Sequence, residues 1–203
     1  YLFFAYDKSR GGLQFVERVQ WIPSLGIQYF NAADGFNLPN LLLSGIVFFT
    51  GVLTMWELET RVKEFFALYF LMVTGVFGLF MSMDLFFIFV WYDVSLFPMY
   101  PLIAIWGTTR KEYGAMKLTL YLLAGSALIL PAILYLFVQS GLNTFDIVRL
   151  MQPGTFTAYQ QKFAFILLYL GFGILAGVWP FHTWSPVGHV AAPHGVSMVH
   201  AGV

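Results

Sequence analysis

From Phe36 to Trp179 the chain is a succession of apolar runs, each about the length that crosses the hydrocarbon core of a bilayer, separated by short polar or charged links. A segment in lipid must satisfy its own backbone hydrogen bonds, so runs of this length are expected to be helices. They fall at about 36–55, 65–83, 85–106, 116–138 and 163–179, and a sixth, 190–203, is cut short by the end of the chain. Composition agrees: 59% of the 203 residues are hydrophobic and only 10% charged, more apolar surface than a soluble domain of this size can hide. The expected fold class is all-α, a polytopic transmembrane helix bundle, with 1–203 forming one (partial) transmembrane domain. Zero net charge offers no basic surface for nucleic acid. With no cysteine there is no disulfide framework, thiolate metal site or thiolate-held iron–sulfur cluster, and no redox centre is expected in these residues. Tyr1 and the apolar run ending at Val203 suggest a piece of a longer protein lacking both ends.

The polar segments set the organisation. Tyr1–Tyr6 resembles the tail of a helix, and Asp7–Gly35 a long loop whose amphipathic stretch Leu13–Val19 is expected to be a short interfacial strand or turn. Arg61, Lys63, Arg110 and Lys111 crowd two short links, whereas Lys8, Arg10, Arg18, Arg149 and Lys162 are spread over long loops, where charge counts for less. The 57–64 and 107–114 links are therefore expected on the cytoplasmic side. The sixth span then enters from that side, with His200 about ten residues, roughly 15 Å, inside.

Asp93 lies near the middle of the 85–106 run, where an ionised carboxylate costs several kcal/mol unless it finds a partner or water. Intramembrane acids usually face bundle interiors and relay charge; the plainer alternative is a structural carboxylate bonded to a neighbouring helix. His200 can exchange a proton near neutral pH, but its small-residue surroundings also suit a buried, hydrogen-bonded histidine. His182 and His189 flank Pro186 in a segment that Pro180, Pro186 and Pro193 prevent from being one regular helix. A broken helix near 177–193 is tolerated at membrane depth where it lines a wet cavity, so this segment is expected to be a water-accessible entrance. His194 suits a capping or interfacial place. No metal site is expected, since His182 and His189 stand across a proline with no third ligand near. Gly171, Gly173 and Gly177 are expected to permit close helix approach. Asp84 fits an interfacial turn, with proton exit as the functional alternative.

The stretches Trp91–Tyr100 (Trp-Tyr-Asp-Val-Ser-Leu-Phe-Pro-Met-Tyr), Leu102–Gly107, Met116–Tyr121 and Trp179–Pro186 with His189 and Ala192-Pro193 resemble the antiporter-like membrane subunits of respiratory complex I. The likeness is closest to the subunit M, or chain 4, branch of bacterial NADH–quinone oxidoreductase. Similar modules occur in multisubunit sodium/proton antiporters and membrane-bound hydrogenases. The resemblance covers nearly the whole chain and implies a bundle of about fourteen helices in two inverted repeats, of which this is the first part. It implies proton translocation driven by quinone reduction elsewhere, in a bacterial inner membrane. FMN, iron–sulfur clusters and quinone would sit in partner subunits, and neighbouring antiporter-like subunits would be the contacts. It also makes Lys117 a relay group, the alternative being a lysine that snorkels to the cytoplasmic interface. The implied route enters near His182 and Lys117 and crosses through Asp93 and His200.

This chain departs from the family pattern at three places. Asp93 stands where the family has glutamate, shortening the reach by one methylene. Leu175, five residues before Pro180, stands where a buried lysine is expected, and Val187 where an aspartate is expected. The usual glutamate–lysine pair is thus not intact. A sodium/proton antiporter subunit, or a structural spacer that no longer pumps, stands as the alternative.

Overall fold

The computed structural model describes residues 2–202. A short helix α1 (Leu2–Ala5) precedes an antiparallel hairpin, β1 (Gln14–Ile22) and β2 (Ile27–Ala33), turned through a 3-10 segment at Pro23–Leu25. There follow α2 (Asn37–Thr54), α3 (Val62–Met81), α4 (Leu85–Leu96), α5 (Met99–Trp106), α6 (Lys111–Ser140), α7 (Ile147–Leu150), α8 (Ala158–Leu175), α9 (Trp184–Ala191) and α10 (His194–Gly202). Among the described residues, five helical stretches are long and apolar enough to span a membrane, α4 and α5 counting as one across Leu85–Trp106. The molecule is a multi-pass transmembrane helix bundle with a hairpin on one rim.

β1 falls on the stretch expected to be a short interfacial strand or turn, while β2 replaces part of the expected long loop. β2 is invisible to a period-two search because Phe30, Asn31, Ala32 and Ala33 are all buried, so neither face alternates with the other. It is stitched to the α3–α4 turn, where the amide of Met83 donates to the carbonyl of Phe30 at 2.8 Å and Asn31 pairs with Ser82. Gly26, in the hairpin turn at φ +64, lies so close to the 143–144 backbone that an added Cβ would sit 1.9 Å from the carbonyl oxygen of Asn143.

Prolines set the breaks that hydropathy cannot see. The 85–106 run divides at Phe97-Pro98. The 190–203 run is not one helix either: α9 ends at Ala191, Ala192 is extended at ψ 149, and α10 starts after Pro193, because the residue before a proline is driven out of the helical region. His200 is therefore only six residues, about 9 Å, into its helix rather than ten. α6 is longer than its apolar run, reaching back to Lys111 with Glu112 in its first turn, where an acid suits the helix dipole.

α8 and α9 together make one discontinuous span. The Leu175 side chain, at the end of α8, lies against Gly125 of α6, while α9 lays Gly188 on Leu118 and Ala191 on Gly114, nearer the start of α6. Residues 176–183 are thus irregular backbone level with the middle of α6, and most of them are exposed on the outside of the bundle. The indole of Trp184 donates to the carbonyl of Ile174 at 2.8 Å, beside the amide of Gly177 at 3.2 Å, and so ties α9 to the end of α8. Gly125 and Gly171 bring α6 and α8 together, since a Cβ on either would meet the other's backbone oxygen at 3.0–3.1 Å. Gly173 faces open space instead, and Gly177 ends the helix at φ +65. Phe65, Tyr69, Met72, Leu102, Ile103, Leu118 and Val196 belong to the buried apolar centre between α3, α5, α6 and α10.

Candidate functional site

The break between α8 and α9 opens a cavity of about 290 Å³ between α3, α4, α6, α9 and α10. Tyr92 and Ser95 of α4, Ser185 and His189 of α9, and His200 of α10 bring polar groups to its wall, with Leu175 among the apolar ones. α4 supplies Tyr92 and Ser95 because they lie three residues apart on one helical face. The proline breaks allow α9 and α10 to aim their histidines at each other. The His189 and His200 rings meet edge to face with centroids 5.8 Å apart, and His189 Nδ1 lies 3.3 Å from Ser197 Oγ.

Two polar atoms from this lining are left over. Tyr92 Oη and His200 Nε2 are buried and have no hydrogen-bond partner among the described residues. A buried polar atom without a partner costs about 1–3 kcal/mol, and a volume of this size has room for several waters with polar neighbours to hold them. Such waters would join phenol, imidazole and hydroxyl groups into a chain along which a proton can hop.

Asp93 belongs to a neighbouring face. Its Oδ1 accepts a hydrogen bond of 2.9 Å from Ser126 Oγ of α6, and the half-buried carboxylate also borders a groove formed by Leu71, Phe89, Val90, Val94 and Phe97. The structure therefore brings His189 and His200 together and seats Asp93 on the adjacent face of α4. Lys117 lies apart from both. Its Nζ sits 6.0 Å from the Tyr113 ring, and nine residues of α6, about 13 Å, separate it from Ser126. Among the described residues neither Lys117 nor His200 forms an ion pair with Asp93. His182 is exposed beside the cavity rather than in its wall; next to it, Thr183 is tied to α6 by a 3.0 Å hydrogen bond with Tyr121 Oη. His194 is exposed at the first position of α10.

Tyr92, Ser95, Ser126, Ser185 and Ser197 are the polar members that the sequence did not single out. Ser126 carried a usable signal, a lone hydroxyl in the apolar run Leu122–Pro131. Ser185 and Ser197 carried none, since their relevance depends on how the two proline breaks fold.

The family model described as NADH:quinone oxidoreductase/Mrp antiporter, transmembrane, matches residues 82–203, a stretch that contains Asp93, Lys117 and all four histidines. The chain is 34% identical over 198 residues to NAD(P)H-quinone oxidoreductase chain 4-2 of Synechocystis sp., matching 98% of this chain and 35% of that protein. It is 36% identical over 199 residues to a chain 4 protein of Picosynechococcus sp., matching 98% of this chain and 36% of the relative. It thus spans about a third of the length of these relatives. In three dimensions it superposes on a chain of respiratory complex I from Thermus thermophilus with a TM-score of 0.84 at 24% identity, over 100% of this chain and 43% of that one. On a chain of the Mrp complex from Dietzia sp. it gives a TM-score of 0.83 at 20% identity, over 99% and 22%.

Proposed function

Since the chain belongs to the family of membrane subunits shared by NADH:quinone oxidoreductase and Mrp antiporters, we propose that it is part of a proton-translocating subunit of a complex I-type NADH–quinone oxidoreductase. Quinone reduction in other subunits, which hold FMN, iron–sulfur clusters and quinone, drives proton transfer through its buried polar groups. Its partners are the neighbouring antiporter-like subunits, its place is the bacterial inner membrane, and the 57–64 and 107–114 links face the cytoplasm. The proton enters beside His182 and the break between α8 and α9, with Lys117 as a charged group near the cytoplasmic start of α6. It is carried by water, His189 and His200 through the cavity and passed along α4 to Asp93, whose carboxylate Ser126 orients.

The observation that carries this reading is the pair of unpartnered polar atoms, Tyr92 Oη and His200 Nε2, on residues that line one cavity with His189. A spacer that only holds its neighbours apart has no need to bury such atoms. One feature favours that second reading all the same: the cavity wall carries Leu175, where the family resemblance leads one to expect a lysine. The two are separated by the double variant His189→Leu/His200→Leu, in the full-length subunit within the assembled complex. Loss of part of the protons pumped per quinone reduced, with quinone reduction retained, is the expected result. An unchanged ratio would establish the spacer.

A further inference from the structure

On the rim that carries the hairpin, outside the lining of the cavity, two carboxylates are completely buried. Asp84 caps α4 and Asp146 caps α7, each with 0% exposure. They are paired across an isolated antiparallel bridge, in which the amide of Leu85 donates to the carbonyl of Phe145 at 3.0 Å and that of Ile147 to Met83 at 3.1 Å. That pattern makes Asp84 and Asp146 a non-hydrogen-bonded pair, the arrangement that brings opposing side chains closest, with Cα atoms about 4.5 Å apart. Like charges directly opposite each other repel. The two acids are not served alike. Asp146 Oδ2, buried and accepting no hydrogen bond, has the guanidinium groups of Arg18 at 3.3 Å and Arg149 at 3.8 Å. Asp84 has backbone amides only: Phe86 at 3.0 Å and Phe87 at 3.2 Å on Oδ1, and Gln28 of β2 at 3.2 Å on Oδ2. Both acids thereby hold the hairpin, Asp146 through Arg18 on β1 and Asp84 through Gln28 on β2. The Arg18 guanidinium also sits over the Phe30 ring, 3.7 Å from its centroid.

We propose that Asp84 and Asp146 form a proton-binding clasp that seats the β1–β2 hairpin on the start of α4 when this face of the membrane is acid and loosens it when the face is alkaline. Asp146 faces two guanidinium groups whereas Asp84 has none beside it, so Asp84 is the group that takes the proton. With Asp84 neutral, the repulsion across the bridge is gone and the pair of Asp146 with Arg18 seats undisturbed. The titratable and charged groups around Asp84 among the described residues are Asp146, Arg149 and Arg18; α4 and β2 present it only backbone amides. Burial raises the Asp84 carboxyl above its ordinary range and the nearby Asp146 adds to this, while the three amide bonds act against it. A raised carboxyl binds its proton more readily in the folded clasp than out of it, so the clasp is strongest at low pH and weakens as pH rises through the Asp84 value. A group on this rim would thus make the hairpin's grip respond to acid accumulating on the same face, a role distinct from carrying the proton across.

The amides of Gln28, Phe86 and Phe87 are the reporters, because all three donate to Asp84. In the full-length subunit, labelled with 15N at glutamine and phenylalanine and held in lipid bilayers, their resonances should move together, with one midpoint above the ordinary aspartate value of about 3.9. Hydrogen-exchange protection of residues 14–33, corrected for intrinsic rates, should fall on the order of tenfold as pH rises past that midpoint. Asp84→Asn should abolish both responses. Resonances fixed from about pH 4 to 8, or a shared titration without any change in hairpin protection, would overturn the clasp. The wild-type titration decides the matter even if Asp84→Asn does not assemble, and neither readout involves pumping.

Discussion

The molecule treats its buried polar groups in two opposite ways. At the hairpin rim, Asp84 and Asp146 are each at 0% exposure, and amides and two arginines surround them. In the bundle, Tyr92 Oη and His200 Nε2 are buried without a partner among the described residues, and the acid nearby is held by one serine hydroxyl. The rim groups fix backbone: they cap two helices and pin two strands. Those in the bundle fix almost no backbone and surround a space large enough for water. Helix caps and ion pairs give a rigid joint, whereas a proton path needs lone pairs and hydrogens left free to exchange. The contrast predicts that substitutions at the rim cost stability, whereas those around the cavity cost transport.

The largest effect is expected from Asp93→Asn in the assembled complex. Asn retains an acceptor for Ser126 but cannot take up a proton, so proton transfer through this subunit should fall on the order of 100-fold, the low end of an acid–base contribution. Proton uptake by reconstituted vesicles measures it, with complex content unchanged; retained transfer would put Asp93 with the structural groups of the rim. Next comes Asp146→Ala. It removes the hydrogen bonds to the amides of Val148 (2.9 Å) and Arg149 (3.3 Å) and leaves Arg18 without its partner. A loss of about 1–2 kcal/mol is expected from the cap, read as faster proteolysis within residues 14–33, with transport altered less than by Asp93→Asn.

A smaller change is expected from His200→Leu, and its sign is informative. Removing a buried, unpartnered nitrogen should leave the thermal stability of the complex within about 1 kcal/mol of the parent, or slightly higher, while transport falls. A clear loss of stability would mean that His200 is a structural histidine after all. The smallest expected effect is that of Leu175→Lys on assembly. If the cavity holds water, an ammonium there is solvated and the subunit is retained in the purified complex at parental level. In a dry cavity, the same change would cost about 2.5–3.5 kcal/mol and deplete the subunit.

Much of the architecture was legible because bilayer thickness, helical rise and apolar run length are tied together. The alternation of apolar runs and polar links by itself determined a multi-pass helical bundle, and the motifs around Asp93 and Pro180 pointed to the family. Asp93 could be singled out because a charge in an apolar run stands out whatever surrounds it. Local chemistry also announced that 177–193 could not be one helix, since three prolines lack the needed donor.

Tertiary structure decided the rest. Hydropathy gave 190–203 as one span and placed His200 about ten residues deep; the break at Pro193 put it six residues into α10 and beside His189. That juxtaposition joins residues on two short helices whose relative direction is set by how α9 packs on α6 and α10 on α2, and no spacing in the sequence encodes it. The same holds for β2, whose strand character comes from being buried on both faces, and for Asp84 and Asp146, separated by more than sixty residues and joined only by a backbone bridge. A sequence states which groups are costly to bury. Only the packed chain states which of them receive partners, because partners come from distant segments whose meeting depends on the whole bundle.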